Sequence, residues 1–525
     1  MMETGKTMRE WKAFHPRYRG RVKGLFIPVA LGILVLFFAK IALGYIRSLP
    51  LLLPDEGDIL IPAFFHLEQG IGYPFKKYPP FPFMFYEAFL WVFEWFITLK
   101  ESNLFLAGRL INLGLCCADI VLLFMAARDW MEDRWALLAS FLFAFCPLIL
   151  LSSAIAKSES LLLGEILIAL WAGFRVMNHP ESVGYHVICA LAAAAAVATK
   201  FNPMPGVIWL ACASMGLASS GFRFRRVLWN LAFGPGARWF APIFFVAVFF
   251  LFLPVAGELK DFSWEEFRKD CYFLSAPSGF RATEEFLGFP YGRIAFPFTF
   301  LLPFALGPLN YLFILGAMAL RASPPRWVAA WVISFAVYLA LFTITTVPLA
   351  FNFLIPIAPM ASVAPVFMLK RIKKHLGRGI AFAILILMSV SLNQSATLIE
   401  MLANMQISMK SVPKNCMFLV SHCTTASQGW DPNAPGEGIL RDHPQYLYYS
   451  DSYGLGFCKA GNEKECRFFK NLIGPDSPYR IKWIKRVRYP WKWLAVLVNP
   501  EASFTSYLLE SKELPAGKEG GMIPP

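Results

Sequence analysis

Charged residues are scarce in this sequence, and their scarcity excludes an ordinary soluble protein. They make up 16% of the chain, hydrophobic residues make up 57%, and the mean hydropathy is +0.51. A chain this apolar would expose too much apolar surface to water, so the lipid bilayer must be part of its solvent. The sequence also has no Gly-rich phosphate loop, no nucleophile elbow and no zinc-binding helix motif, so these common enzyme signatures are excluded.

The net charge of +14 comes from basic residues that lie in short loops between apolar runs. This distribution is typical of topology signals in membrane proteins and argues against a nucleic-acid-binding surface. Because residues 1–23 are basic, we expect them to be cytoplasmic and to precede an uncleaved anchor. Eleven spans are predicted, at 24–46, 104–127, 135–153, 161–177, 185–199, 202–218, 238–255, 294–320, 326–346, 349–369 and 379–397.

Residues 81–99 are also apolar enough to suggest a span. If they crossed the bilayer, the later basic clusters, including 370–374, would all face outward, against the positive-inside rule. We therefore predict a helix that lies in the outer interface, with Glu87 and Glu94 on one face because they are seven residues apart. This topology places three segments outside: 48–103, 256–293 and 398–525.

Cysteine usage agrees with this topology. Five cysteines fall in predicted spans, where they behave as small apolar residues, and four fall in the polar region 398–525. An even number in an extracytoplasmic compartment favours two disulfides, although the sequence does not give their pairing. A zinc site is the alternative, but the spacings match no finger pattern. The four cysteines are Cys416, Cys423, Cys458 and Cys466.

An acidic segment, Pro54-Asp55-Glu56-Gly57-Asp58, follows the first predicted span. Carboxylates beside a bilayer-spanning helix are costly to place near lipid unless they have a task. Four patterns come after it in order. They are a Gly-rich step with a Pro motif around Lys77, Leu-Ala-Gly-Arg-Leu at 106–110, a Pro followed by an acid at Glu159, and Thr-Lys at Lys200.

Together these five patterns resemble the GT-C superfamily of polyprenyl-phosphate-sugar glycosyltransferases. The resemblance covers about residues 24–370 and points to the branch of protein O-mannosyltransferases and the lipid A aminoarabinose transferase. It implies transfer of a sugar from a polyprenyl-phosphate-linked donor to a lipid, glycan or protein acceptor. One departure is Asn352, which stands where many relatives have an Arg. If that Arg holds the donor phosphate, Asn352 cannot supply its charge.

Sugar transfer from a lipid phosphate needs a base for the acceptor's proton and positive charge near the departing phosphate. We predict that Asp55 is the base in an inverting displacement. Glu56 is predicted to orient Asp55, or to bind a metal or the acceptor. The metal in the second case would be a divalent cofactor. The alternative is that Asp55 only caps a helix that begins near Ile59.

Three basic residues are candidates for the donor phosphate. The resemblance implies this role for Lys77, with snorkelling to the headgroups as the alternative. Arg109 lies at the outer start of a predicted span, where it is costly unless it meets a carboxylate or phosphate. Lys200, at the end of another span, receives the same interpretation.

Two acids belong to the region of the fourth span. Glu159 is predicted as a second acid that serves the acceptor or a metal, and the alternatives are an exposed acid in a turn or a local pair with Lys157. Glu165 lies about one and a half turns deeper. We expect it to pair inside the membrane with Arg109 or Lys200.

The predicted fold is an α-helical polytopic membrane bundle of eleven spans with interfacial helices on its outer face. Residues 24–397 form the glycosyltransferase domain, with a catalytic outer loop at 48–103. Residues 398–525 form a small extracytoplasmic α/β domain with disulfides. The expected location is a bacterial inner membrane. A transporter or flippase is one alternative function, and it predicts internal repeats and midplane ionisable residues. A non-catalytic GT-C-like scaffold is the other.

Overall fold

The computed structural model of the protein describes residues 26–48, 54–70, 79–99, 101–219, 224–256 and 358–376, together with shorter stretches from 416 to 512. Three predicted spans lie wholly or mostly outside these residues, at 294–320, 326–346 and 379–397. Lys77 and Asn352 also lie outside them.

Within the described residues the protein is mostly α-helical. The helices are α1 (Phe26–Ser48), α2 (Pro54–Gln69), α3 (Phe81–Glu94), α4 (Glu101–Ala127), α5 (Asp133–Ala144), α6 (Pro147–Ala154), α7 (Ser158–Asn178), α8 (Val183–Lys200), α9 (Met204–Ser219), α10 (Phe224–Phe233), α11 (Pro235–Phe252) and α12 (Ala358–Leu376). A 3₁₀ turn, Leu253–Val255, extends α11.

Proline and left-handed residues set several helix ends. Pro82, Pro147 and Pro235 lie in the first turns of α3, α6 and α11, where a proline's fixed φ suits the helix and its missing N–H is not needed. Gly70 follows α2 with φ +67°, and its N–H donates to the His66 carbonyl at 2.9 Å. Phe201 ends α8 with φ +49°, an unusual conformation for an aromatic residue.

Among the described residues, five helices are long and apolar enough to cross a bilayer. They are Phe26–Ile46, Asn103–Ala127, Ser158–Asn178, Val183–Lys200 and Gly236–Val255. The predicted single span at 135–153 is wrong in one respect, because it is two helices, α5 and α6, bent by 61°. Pro147 explains the break, since it cannot continue the hydrogen bonding of α5. Counting α5 and α6 as one broken span gives six.

Helix α7 is largely buried and packs against α4, α8 and α9. Small residues allow these close contacts, because a small side chain lets two helix backbones approach. Helix α8 contributes a series of buried alanines. On α9, a Cβ at Gly216 would lie 2.9 Å from the backbone oxygen of Met177. A side chain there would therefore push α9 away from α7.

Helix α3 has the length expected of the predicted interfacial helix. Its 14 residues extend about 21 Å, which is shorter than the roughly 30 Å hydrocarbon core. One face is buried against α2 and α4 through Phe83, Tyr86 and Leu90. Trp91 and Trp95 are exposed on the other side, as is typical of side chains at headgroup level.

Four strands in the C-terminal region form one sheet. They are β1 (Cys416–Leu419), β2 (Tyr446–Ser450), β3 (Tyr479–Arg488) and β4 (Ser503–Ser511), in the order β1-β2-β4-β3. The pair β1–β2 is parallel and the other pairs are antiparallel. Cys416 begins β1, whereas the other three cysteines of the predicted disulfides lie outside the described residues. The disulfides therefore stay a prediction.

Candidate functional site

The acidic pair lies inside a helix and not in a loop before it. Helix α2 begins at Pro54, so Asp55 and Glu56 occupy its first turn. The expectation of a helix that begins near Ile59 is therefore wrong by about one turn. Carboxylates are favourable in a first turn, because the helix dipole places partial positive charge there.

Glu56 forms a buried ion pair with Arg109 of α4. Its Oε1 accepts from Arg109 Nε at 2.8 Å and its Oε2 accepts from Arg109 Nη2 at 2.6 Å. The two side chains are 0% and 4% exposed. The backbone N–H of Ala156 also donates to Oε1, at 2.9 Å. Buried charges are tolerated when they are paired and hydrogen-bonded, and here both conditions hold.

Ala156 belongs to a short connector, residues 155–157, between α6 and α7. Asn112, one turn beyond Arg109 on α4, donates from Nδ2 to the carbonyl oxygens of Ile155 and of Ser152, the latter at 3.1 Å. The Tyr86 hydroxyl of α3 contacts Asn112 Oδ1 and lies 3.0 Å from the Lys157 carbonyl oxygen. Helices α2, α3 and α4 therefore all fix the same connector.

The Tyr86 phenol is protonated under ordinary conditions. Burial raises its pKa well above 10, and the nearby carboxylates of Glu159 and Glu56 raise it further. A protonated phenol can donate a hydrogen bond, which its contacts with Asn112 and Lys157 require.

Steric contacts explain why a glycine, Gly108, precedes Arg109. A Cβ at this position would lie 2.5 Å from Leu60 Cδ1 and 3.0 Å from Ala156 Cβ. Helices α2 and α4 and the connector thus meet at the Gly108 backbone. This close approach brings Arg109 within reach of both Glu56 oxygens, so the Gly-Arg step of the sequence pattern has a steric basis.

A second ion pair lies at the same end of the bundle. Lys200 Nζ, at the end of α8, donates to Glu159 Oε1 in the first turn of α7 at 2.5 Å. The side chains are 20% and 7% exposed. Glu159 is therefore not an exposed acid, and its short contact is with Lys200.

Glu165 does not take either of its expected partners. The structure pairs Arg109 with Glu56 and Lys200 with Glu159, and Glu165 Oε1 instead accepts from Thr199 Oγ1 at 2.6 Å. The prediction for Glu165 is therefore wrong. The difference follows from the position of Glu165 along α7. It lies about one and a half turns from Glu159, further from the end of the bundle, and there it contacts Thr199, the residue before Lys200 in the last turn of α8.

The structure brings four of the predicted site residues to one end of the bundle: Glu56, Arg109, Glu159 and Lys200. It adds Tyr86 and Asn112, which the sequence reasoning missed. Asn112 could have been identified from the sequence, because a polar Asn inside a predicted span needs hydrogen-bond partners and this one lies three residues from Arg109. No group of three or more His, Cys, Asp or Glu side chains in the described part of the chain could hold a metal ion.

Several solved structures resemble this one. ArnT from Cupriavidus metallidurans, bound to undecaprenyl phosphate, superimposes with a TM-score of 0.51 over 90% of this chain and 97% of ArnT, at 16% identity. The Archaeoglobus fulgidus oligosaccharyltransferase, in complex with Zn and sulfate, reaches a TM-score of 0.42 over 71% of this chain and 53% of that enzyme, at 18% identity. The second likeness is too small to carry an argument. No protein-family model and no curated protein sequence matches this chain.

The described helices and the likeness to ArnT together define the class. The chain is a multi-pass membrane protein whose fold is similar to that of ArnT. The resemblance seen in the sequence patterns is thus confirmed at the level of the fold.

Proposed function

We propose that this protein is an integral membrane glycosyltransferase that uses a polyprenyl-phosphate-linked sugar. The acceptor is a lipid, a glycan or a protein. The single observation that carries the proposal is the buried Glu56–Arg109 pair with its bond to Ala156. It joins the helix turn that bears Asp55 to the connector that precedes Glu159.

Asp55 is the proposed base. Its backbone lies in the first turn of α2, directly before Glu56, and that turn is fixed by three hydrogen bonds to the Glu56 carboxylate. A base must be held within hydrogen-bonding reach of the acceptor hydroxyl. Asp55 takes the acceptor's proton while the acceptor oxygen attacks the anomeric carbon from the face opposite the phosphate. The bond from that carbon to the phosphate oxygen breaks, and the configuration inverts.

Positive charge near the departing phosphate is the second requirement. Lys200 and Lys77 are the proposed contacts. Arg109 was predicted for the same role, but its two short bonds to Glu56 favour a role in positioning α2. Glu159 holds Lys200 at one place on the outer end of α7 and α8. It is thus the second acid of the site, and it acts through the lysine.

We propose the membrane arrangement that the sequence predicts. The N-terminus is cytoplasmic, the site faces outward in a bacterial inner membrane, and residues 398–525 form an extracytoplasmic domain. Accessibility labelling of single cysteines would test it. A cysteine in place of the exposed Thr98 that reacted only from the cytoplasm would overturn the outward position of the site.

A transfer assay tests the function. Purified protein in lipid vesicles is given a panel of radiolabelled polyprenyl-phosphate sugars, with membrane extract as acceptor. Wild type is compared with Asp55→Asn and with Glu68→Gln. Glu68 is an exposed acid in the last turn of the same helix, so Glu68→Gln makes the same chemical change away from the site.

Label moved by wild type and Glu68→Gln, with a loss of about 10²-fold or more in Asp55→Asn, is the expected result. Near-normal transfer by Asp55→Asn would overturn the base assignment. Failure of wild type to move or bind any donor would favour the scaffold alternative, in which Asn352 marks a lost phosphate contact.

One observation favours a transporter or flippase as a second candidate. Asp119, in the middle of α4, is 1% exposed, and its Oδ2 has no hydrogen-bond partner among the described residues. Ionisable residues inside a bundle often mark a translocation path. Asp119→Asn distinguishes the two functions, because it should abolish lipid or solute movement in a transporter and leave sugar transfer intact in a glycosyltransferase.

A further inference from the structure

Helix α10 is a short amphipathic helix at the end of the bundle opposite the candidate site. It connects α9 to α11. The other ends of these two helices lie near Lys200, because α9 begins three residues after Phe201 and the rings of Phe201 and Phe252, at the end of α11, are 6.4 Å apart. Val227 is buried, and Leu231 packs against the cluster that contains Trp209. These two residues are one turn apart, so they fix one side of α10 to the bundle and leave the other side outward.

The outward side of α10 mixes large apolar and cationic side chains. Leu228, Trp229 and Phe233 are 51%, 65% and 57% exposed. Arg225 and Arg226 are exposed on the same helix. Because α10 lies between helices of the membrane bundle, this side is at the level of the bilayer surface. Apolar rings there reach the acyl boundary while guanidinium groups remain among the headgroups.

The two arginines differ from their neighbours at the same end of the bundle. Arg128 Nε lies 3.4 Å from Asp133, and Arg134 Nη2 lies 2.6 Å from Glu132. Neither Arg225 nor Arg226 has an acidic partner among the described residues. Their charge is therefore available to an anion from outside the chain.

We propose that α10 binds the headgroups of anionic phospholipids. Arg225 and Arg226 contact the lipid phosphates, and Leu228, Trp229 and Phe233 lie among the upper acyl carbons. A zwitterionic headgroup carries no net charge, so it gains less from the two guanidinium groups. This surface is separate from the sugar-transfer site and does not depend on the proposed function.

Native mass spectrometry of the full-length protein tests the proposal. The protein is released from mixed micelles that contain equal amounts of phosphatidylglycerol and phosphatidylcholine, and retained lipids are counted. The test variant is Arg225→Gln/Arg226→Gln. The matched control is Arg128→Gln/Arg134→Gln, which removes the same number of charges from the same end of the bundle. Thermal unfolding of each sample checks that it is folded.

The expected result is that wild type and the control retain phosphatidylglycerol in preference, and that the test variant loses this preference by about fivefold or more. Three results would overturn the proposal. They are no preference in wild type, an unchanged preference in the folded test variant, and an equal loss in the control. If lipid retention is unchanged and the test variant instead loses a dimer seen in wild type, the surface is an interface between two copies of the chain.

Discussion

The two ends of the helical bundle differ in how deeply their ion pairs are buried. At the end that contains Glu56 and Lys200, both ion pairs are buried or nearly so, and one is bonded to a backbone connector. At the other end, the pairs of Arg128 and Arg134 are largely exposed, and the pair of Arg175 and Asp129 is only partly buried. Exposed pairs contribute little to stability and hold nothing in place. Buried pairs are costly to desolvate, but they hold their backbones in one geometry.

The comparison suggests where positional accuracy is needed. The proposed base and the proposed phosphate contact must be held close to their working geometry, and hydrogen bonds from surrounding side chains supply that restraint. Asn112, Tyr86 and Arg109 serve the connector and the first turn of α2 in this way. At the opposite end the pairs of Arg128 and Arg134 leave their side chains largely exposed.

The largest effect is expected from breaking the buried ion pair. Arg109→Met leaves Glu56 buried without its cation, and we expect a loss of about 3–5 kcal/mol in the free energy of unfolding. Arg134→Gln removes an exposed cation at the other end and should cost less than about 1 kcal/mol. Denaturation in mixed micelles measures both. Equal losses would remove the distinction between the two ends.

A smaller effect is expected at the second ion pair. Lys200→Met leaves Glu159 without its charge-assisted hydrogen bond, and the expected loss of stability is about 1.5–3 kcal/mol. Sugar transfer should fall as well, since the lysine is a proposed phosphate contact. Lys200→Arg keeps the charge and serves as the control. Full activity in Lys200→Met, together with normal donor affinity, would contradict the phosphate role.

Gly108→Ala tests the close approach of α2, α4 and the connector. The added Cβ meets Leu60 and Ala156, so we expect a loss of about 1–3 kcal/mol. Gly114→Ala is the matched control, since that glycine lies on the same helix and a Cβ there meets nothing within 4 Å. It should be neutral or slightly stabilising, because alanine favours a helix over glycine. Thermal midpoints in detergent compare the two, and a stable Gly108→Ala variant would mean that the helices can separate without cost.

The smallest effect concerns pH at the far end. Burial raises the pKa of Asp129, although Arg175 beside it, at 2.7 Å, opposes the shift. The folded protein therefore binds this proton more tightly than the unfolded chain. Its contribution to stability is complete below the ordinary pKa of an Asp and is lost as pH rises through the folded pKa.

Thermal midpoints of wild type and Asp129→Asn, followed from acidic to neutral pH, measure this contribution. Wild type should lose stability relative to Asp129→Asn as pH rises. Two parallel curves would mean that the proton is not bound more tightly in the folded state.

Several features of this protein follow from local sequence. The apolar runs predict helices α1, α4, α7, α8 and α11 because a bilayer accepts only long apolar segments with internally bonded backbones. The interfacial interpretation of α3 follows from the signs of charge in later loops. The order of five short patterns was enough to indicate a fold similar to that of ArnT.

Tertiary structure alone decided which charges meet. Glu56 and Arg109 are 53 residues apart, and Lys200 and Glu159 are 41 apart, so neither pair has a local signature. The sequence suggested Glu165 as the partner of Arg109 or Lys200, but packing placed Glu165 against Thr199. The connector fixed by Tyr86 and Asn112 also depends on which helices are neighbours. Composition determined that the chain enters a membrane and roughly where its helices run. The pairing of its buried charges was decided by helix contacts at single small residues such as Gly108, because a charge in a low-dielectric interior must find its partner within a few ångströms.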